Sequence, residues 1–268
     1  MHKPATLAAL IALSLSTPLV FAATTVPDRL KGVDKLTYCS GMDSPPLVSY
    51  DATQKPVGLT IDLGTEIAKR LDGKTVQWRV IPFSGLVPAL LAKQCDMIVD
   101  QLFDKPERRE VINIVNYMYS SQSVVVPKGN PKGIKTLDDL SGHKVAVLNG
   151  STIKTLLDAQ NDSLNKAGKP PLKLVVYNTD TDAFQALRIN QVDAYGTTVE
   201  TAGYYAGMAP DLFQEGVPAF SRILTGLGIR KDDPQLTSAV QQIISDMRSD
   251  GSYTQLLAKW HVPSDKLD

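Results

Sequence analysis

The residues best suited to chemistry follow segments that are predicted to be β-strands. Asp100 lies at the end of one strand-like run, Asp43 follows another, and Arg108 lies in a charged stretch beyond Asp100. Open α/β sheets bind ligands at the carboxyl ends of their strands, where such side chains converge. The sequence therefore predicts a polar cleft built from the residue clusters 40–46, 83, 100–109, 149–152 and 196–200.

Short motifs of enzymes that bind nucleotides or form acyl intermediates give no support for catalysis. The chain contains no G-x-G-x-x-G, no G-x-x-x-x-G-K-[ST] and no G-x-S-x-G. Ser151 and Lys154 fit S-x-x-K, but neither S-D-N nor K-T-G accompanies them. We expect no cofactor and no enzymatic activity.

Cysteine and histidine are too few and too scattered to predict a metal site. The three histidines are far apart in the chain and show no zinc-ligand spacing. Cys39 lies late in a strand-like run and Cys95 lies just before another, which argues against equal depth in neighbouring parallel strands. An oxidising compartment would allow them to pair, so the sequence leaves a disulfide open.

Strand-like and helix-like segments alternate along the chain, which is typical of parallel βαβ units. Residues 36–40, 76–81 and 97–102 read as strands separated by amphipathic helices. A second cycle of alternation begins near residue 129. Two open α/β lobes with a cleft between them are the expected architecture.

Composition excludes several classes of protein. The 268 residues are 43% hydrophobic and 21% charged, which is typical of a globular protein that buries a core. Lys and Arg number 28 and balance 28 Asp and Glu, so the chain lacks the basic excess that nucleic-acid binding requires. Nucleic acid is therefore not an expected partner.

The N-terminus reads as a cleaved export signal. Lys3 precedes an apolar stretch from about Ala5 to Val20, and Val20-Phe21-Ala22 fits a small-residue cleavage site. The stretch is short and contains Pro18, which disfavours a membrane anchor. We expect residues 1–22 to be removed and the remaining chain to be exported.

Several segments strongly resemble the family 3 bacterial extracellular solute-binding proteins, the periplasmic receptors of polar amino-acid ABC importers. The resemblance covers essentially the whole chain after the signal, in order. It implies a type II periplasmic-binding fold, an α/β fold whose two open lobes are joined by two crossover strands, which we place near residues 122–127 and 221–226. The segments are PVGLTIDLGTEIAKRL (56–71), FSGLVPALLAKQCDMIV (83–99), KPERREVINIVNY (105–117), TLDDLSGHKVAVLNGST (136–152), QALRINQVDAY (185–195) and DMRSDGSYTQLLAKW (246–260).

The resemblance also implies roles for particular residues. The family Arg that binds the ligand carboxylate falls on Arg108, and a planar guanidinium suits two parallel hydrogen bonds to a carboxylate. Gly150, Ser151 and Thr152 match the turn of the second lobe that contacts the ligand at a helix start. Ser151 could equally be an ordinary helix cap. Phe83 falls where many members place an apolar residue over the ligand.

Departures from the family pattern concern specificity. Gln101 and Phe103 stand in a run that is usually small or hydroxylated, and Thr198 stands where the family Asp holds the ligand ammonium. We expect Asp100 to replace that Asp as the ammonium partner and Asp43 to meet a ligand side chain. In the alternative, Asp100 caps the following turn and the ligand, a carboxylate or opine-like solute, has no α-ammonium.

These inferences predict a periplasmic substrate-binding protein that captures an amino acid or amino-acid derivative by hinge closure and delivers it to an inner-membrane ABC permease. Residues 23–122 and 222–268 are assigned to lobe 1 and residues 123–221 to lobe 2. The partner solute should bear a carboxylate, and the protein should be a monomer. The alternatives are a periplasmic enzyme resembling cyclohexadienyl dehydratase and a soluble sensor subunit.

Overall fold

The computed structural model describes residues 25–267. The predicted signal, residues 1–22, lies outside the described residues. Within the described range, no helix combines the length and the apolar character that a membrane crossing requires.

Strands and helices alternate along most of the described chain. The strands are β1 (Lys35–Ser40), β2 (Ser49–Tyr50), β3 (Pro56–Val57), β4 (Thr75–Val80), β5 (Met97–Phe103), β6 (Ile112–Pro127), β7 (Lys144–Leu148), β8 (Lys173–Tyr177), β9 (Ala194–Thr198) and β10 (Phe213–Arg230). The helices are α1 (Leu59–Arg70), α2 (Leu86–Leu91), α3 (Pro106–Arg109), α4 (Thr152–Lys166), α5 (Asp180–Arg188), α6 (Val199–Met208), α7 (Pro234–Ser249) and α8 (Ser252–Lys259).

One curled mixed sheet runs through both lobes in the order β4-β1-β5-β10-β6-β9-β7-β8. β1 pairs in parallel with β4 and β5, and β7 pairs in parallel with β8 and β9. β6 and β10 are antiparallel to each other and to the strands that flank them. The predicted α/β fold with two lobes and two crossover strands is confirmed.

Each lobe has its own hydrophobic core. The first is built from apolar faces of α1, α7 and α8 against the sheet, with Tyr38, Tyr117 and Tyr253 fully buried in it. The second draws on α4, α5 and α6 and on residues between 124 and 217. Burying an aromatic or aliphatic side chain contributes ~1.5–3 kcal/mol, so each lobe carries its own source of stability.

The two crossover strands are longer than the sequence suggests. The predicted crossings lie near residues 122–127 and 221–226, whereas β6 spans 16 residues and β10 spans 18. Their pairing register shifts between Val217 and Phe220 and again between Phe220 and Ile223. Such irregularities interrupt the ladder and let paired strands bend, which suits a hinge.

Cys39 and Cys95 form a disulfide, with 5.7 Å between their Cα atoms. The argument against equal depth is therefore wrong for this pair. Cys39 lies opposite Ile98 in the sheet, but the loop before β5 bends toward β1, where the amide of Asp96 donates to the carbonyl of Thr37. That bend removes the offset of the two cysteines along the strands.

Candidate functional site

A cavity of about 30 Å³ lies between the lobes, at the carboxyl ends of β5, β7 and β9. That volume holds only one or two water molecules. An amino acid needs several times more room, so a solute could enter only if the lobes move apart. The structure is therefore a closed form of the protein, in which side chains of both lobes meet in the cleft.

Most of the sequence-predicted site residues gather at this cavity. Those that line it are Phe83, Asp100, Gln101, Phe103, Ser151 and Thr198. The remaining four lie behind or beside the lining: Asp43, Arg108, Gly150 and Thr152.

Asp100 lies in the middle of β5, not at a strand end as the sequence predicts, because pairing with β10 extends the strand to Phe103. Three donors hold its carboxylate. Oδ2 accepts from the amide of Gly41 at 2.7 Å and from Ser40 Oγ at 3.0 Å, and Oδ1 accepts from the amide of Gln101 at 2.7 Å. Complete burial raises its pKa, while these hydrogen bonds and the charge of Arg108 oppose the rise. The carboxylate is thus preorganised at the floor of the cleft.

Arg108 bridges the two lobes. Its Nη1 donates to the carbonyl of Phe103 at 2.9 Å and its Nη2 donates to the carbonyl of Gly150 at 3.2 Å. The guanidinium carbon lies 5.5 Å from the ring centroid of Phe83. Burial lowers the pKa of Arg108 to about 10, so the group stays charged at neutral pH. Exchange of weak carbonyl partners for a carboxylate would strengthen its hydrogen bonding.

The turn before α4 supplies the facing wall from lobe 2. Ser151 caps the helix, since its Oγ accepts from the amide of Lys154 and donates to the carbonyl of Leu148 at 2.6 Å. Thr152 is buried and its Oγ1 has no hydrogen-bond partner. Gly150 has φ +75°, and a Cβ there would lie 3.2 Å from Ser84 Cα in lobe 1. Ser151 is therefore an N-cap of α4, a role that is compatible with ligand contact.

A second acidic group, Asp180, reaches the cavity from lobe 2. It is the first residue of α5, and its carboxylate accepts from Ser44 Oγ at 2.6 Å and from the hydroxyl of Tyr195. Asp43 Oδ2 in turn accepts from the amide of Asp180 at 2.8 Å. Thr198, by contrast, only caps α6 and lines the cavity with a neutral hydroxyl.

Glu200 makes a further contact between the lobes. Its Oε2 accepts from Gln101 Nε2 at 3.0 Å and from Ser120 Oγ at 2.8 Å. Burial raises its pKa to about 7. Gln101 is therefore both a cavity residue and a partner of lobe 2 in the closed form.

The cleft concentrates buried negative charge. Burial, together with the charges of Asp180 and Asp100, raises the pKa of Asp43 to about 8. Burial raises the pKa of Asp180 to about 6 against the hydrogen bonds from Ser44 and Tyr195. Carboxyl groups that are desolvated together favour protonation or a cationic partner.

Sequence reasoning missed part of the lining. The strand-end rule would have found Asp180, because it follows the strand KLVVY in the same way as the clusters that were selected. Ser44 and Thr197 lie within the predicted clusters 40–46 and 196–200 but are not among the individually predicted site residues. The lining residues outside every predicted cluster are Gln122, Leu148, Ile153 and Asp180.

Comparison with known proteins identifies relatives over nearly the whole chain. A match to the bacterial extracellular solute-binding proteins, family 3, spans residues 36–263. The chain is 30% identical to the lysine/arginine/ornithine-binding periplasmic protein of Escherichia coli, over 94% of this chain and 95% of that protein.

Solved structures of similar proteins show the same fold. An ancestral arginine-binding protein bound to arginine has a TM-score of 0.78 and 30% identity, covering 85% of this chain and 98% of the other. An ancestral amino acid-binding protein described as a precursor of cyclohexadienyl dehydratase has a TM-score of 0.79 and 29% identity, covering 87% and 98%. With the family match over most of its length, this chain belongs to the bacterial extracellular solute-binding proteins, family 3.

Proposed function

We propose that this protein captures an amino acid or a close derivative in the periplasm and delivers it to an ABC permease of the inner membrane. The observation that carries the proposal is the cavity between the lobes, lined from both sides by polar strand-end residues. The arginine-binding and lysine/arginine/ornithine-binding relatives support an amino acid as solute. The protein acts as a monomer after removal of residues 1–22.

Two groups in the cleft suit the backbone of an amino acid. Arg108 takes the α-carboxylate, releasing the carbonyl of Gly150 as it does so, and the start of α4 at Ser151 faces the same anion. Asp100 takes the α-ammonium with the lone pairs that Gly41, Ser40 and Gln101 leave free. Asp100 thereby replaces the acidic group that Thr198 lacks.

Hinge closure couples binding to recognition by the permease. The solute favours the closed form only through contacts that it makes with both lobes at once. Arg108 from lobe 1 and the Gly150 turn from lobe 2 are such a pair of contacts, and β6 and β10 connect the lobes as they move.

The enzyme alternative predicts a different result. A dehydratase needs a positioned acid, and Glu200 is a buried carboxyl whose pKa is raised to about 7. Its Oε2, however, is bonded to Gln101 and Ser120, and Glu200 is not part of the cavity lining. We expect no turnover of prephenate or arogenate, and product formation would favour the enzyme.

Titration calorimetry with the common amino acids tests the proposal. Arg108→Ala should weaken binding by ~2–5 kcal/mol, as is usual when one partner of a desolvated charge pair is removed. Arg109→Ala is the matched control, because its guanidinium pairs with Asp104 on the exposed side of α3. Equal affinity of wild type and Arg108→Ala would contradict the carboxylate role. Mass spectrometry of natively purified protein identifies any retained solute.

A further inference from the structure

Three carboxyl groups from both lobes meet in the cleft. Asp43 and Asp100 belong to lobe 1, and Asp180 belongs to lobe 2. Asp43 Oδ1 and Asp100 Oδ2 lie 2.8 Å and 3.5 Å from the position that a Cβ on Gly41 would occupy. Asp180 approaches from the other side, where its amide donates to Asp43. Each group is largely or completely buried.

The protein's own donors do not neutralise this charge. Asp43 and Asp180 are hydrogen-bonded to an amide and to the hydroxyls of Ser44 and Tyr195, all of which are neutral. Within residues 25–267, no Lys or Arg forms an ion pair with either carboxylate. Arg108 acts on Asp100. A buried carboxylate without a cation is costly, so two carboxylates remain without compensation.

We propose that the solute carries a second cationic group, which Asp43 and Asp180 bind together across the cleft. This inference rests on the proposed function, in which Arg108 and Asp100 bind the α-carboxylate and α-ammonium. The ligand class is thus an amino acid with a guanidinium or ammonium group at the end of its side chain. Hydroxyl donors on Asp180 orient its carboxylate, which suits the planar fork of a guanidinium.

An inorganic cation fits this place poorly. Within the described residues, no group of three acidic, His or Cys side chains has an arrangement that could hold a metal ion. The organic cation must also be reached from both lobes at once, since Asp43 and Asp180 approach each other only when the cleft is closed. The second cation therefore contributes directly to closure, through contacts that the open form lacks.

The raised pKa values of Asp43 and Asp180 agree with this assignment. Burial favours their protonated forms in the ligand-free closed cleft. Besides each other, the charged and titratable groups that face them are Asp100, Tyr195 and Tyr205, whereas Arg108 acts on Asp100. A bound cation takes the place of the proton, so binding of a cationic amino acid should release protons to the solvent.

Calorimetry with matched pairs of ligands tests the inference. Arginine is compared with citrulline, its neutral isostere, and lysine with norleucine. Wild type should bind the cationic member of each pair at least about 30-fold more tightly, the factor that corresponds to ~2 kcal/mol for an unpaired buried charge. Titration of arginine in buffers of different ionisation enthalpy should show proton release near pH 7.

Variants test whether Asp43 and Asp180 cause the preference for the cationic ligand. Asp180→Asn and, from the other lobe, Asp43→Asn should each reduce the preference for arginine over citrulline about tenfold or more and should diminish proton release. Asp182→Asn, on the exposed surface of the same helix, is the control and should change neither. Thermal unfolding verifies that each variant is folded. The comparison of arginine with citrulline and of lysine with norleucine on the wild-type protein tests the inference without any variant.

Two outcomes overturn different parts of the argument. Equal or tighter binding of citrulline and norleucine by wild type would overturn the second cationic group and leave amino-acid capture standing. Failure of wild type to bind any amino acid would overturn the proposed function and, with it, this inference. An unchanged ligand preference in folded Asp43→Asn and Asp180→Asn would show that these carboxylates do not select the cation.

Discussion

At the scale of single residues, the main feature of the molecule is a set of four largely or completely buried carboxyl groups around one cleft. Asp43, Asp100, Asp180 and Glu200 all have raised pKa values, with burial as the largest cause. The surface shows the opposite: hydrogen bonds lower the pKa of exposed Asp51, first through Thr53. Because the groups of the cleft are held away from water, small changes of charge there have large effects on binding.

The stability of the ligand-free protein should depend on pH because of these groups. A carboxyl whose pKa is raised in the folded state binds a proton more tightly there than in the unfolded chain. That contribution is present at low pH and is lost as pH rises from the unfolded pKa near 4 through the folded pKa of about 6 for Asp180 and about 8 for Asp43. We therefore expect the melting temperature to fall between pH 5 and pH 8.

Thermal unfolding of variants shows which carboxyl group causes the fall in melting temperature between pH 5 and pH 8. Asp43→Asn should flatten the decline between pH 5 and pH 8, since an amide cannot titrate. Asp51→Asn, which removes an exposed carboxyl with a lowered pKa, should keep the wild-type slope. A melting temperature that rises across this interval in the ligand-free wild type would contradict the burial of uncompensated carboxyl groups.

At the scale of elements, loops after strands do most of the positioning. The end of β1 brings Ser40 to Asp100, and the loop that follows brings Gly41 to the same carboxylate. The turn before α4 brings Gly150 to Arg108, and the start of α5 brings Asp180 to Ser44. Each of these hydrogen bonds joins residues at least 42 positions apart in the chain. The disulfide adds a covalent tie to the first loop, because Cys39 immediately precedes Ser40.

Removal of the disulfide should destabilise lobe 1. The bond joins residues separated by 56 positions, and the loop-entropy model gives a contribution of about 4 kcal/mol for a loop of that length. We expect Cys39→Ser with Cys95→Ser to lower the free energy of unfolding in urea by about 2–5 kcal/mol. The reduced wild type is the matched control and should behave in the same way. An unchanged unfolding midpoint in both would contradict a structural role for the bond.

At the scale of the whole molecule, the two lobes meet through a small number of polar contacts. Arg108 with Gly150, Ser44 with Asp180 and Gln101 with Glu200 all join residues that are far apart in the chain. The close approach of Gly150 to Ser84 shows how tightly the backbones meet. Since the cavity that remains is about 30 Å³, solute exchange requires these contacts to open and re-form.

Gly150→Ala should hinder closure. An added Cβ would lie 3.2 Å from Ser84 Cα and Cβ, so the lobes must separate slightly or strain. Overpacking of this kind costs ~1–3 kcal/mol, which corresponds to a loss of roughly tenfold in affinity for the captured amino acid. Small-angle scattering at saturating ligand should also show a larger radius of gyration than for wild type.

Gly168→Ala separates closure from backbone strain. Gly168 has a similar φ of +68° but nothing within 4 Å of an added Cβ, so both variants carry the cost of a left-handed alanine, ~1–2 kcal/mol. We expect Gly168→Ala to lose stability while keeping wild-type affinity and scattering. Equal affinities of the two variants would show that the contact between Gly150 and Ser84 does not limit closure.

The sequence alone predicts the secondary structure of most segments and which residues follow strands. The alternation of strands and helices and the positions of Phe83 and Thr198 at or just after strand ends depend on periodicity, caps and turns within a few neighbouring residues. The family motifs add the two-lobe fold, which the sheet order confirms. These features need no knowledge of distant contacts.

The tertiary structure alone decided which distant groups meet. Asp43 and Asp180 are 137 positions apart, and nothing in their local sequence indicates that the amide of Asp180 donates to the carboxylate of Asp43. The same holds for the bend that brings Cys95 to Cys39 and for the carbonyl of Gly150 that accepts from Arg108. The disulfide arises from packing within lobe 1, whereas the contacts between the lobes arise from how two separately stabilised lobes close on each other. Both depend on shape and charge summed over whole surfaces, which no local pattern encodes.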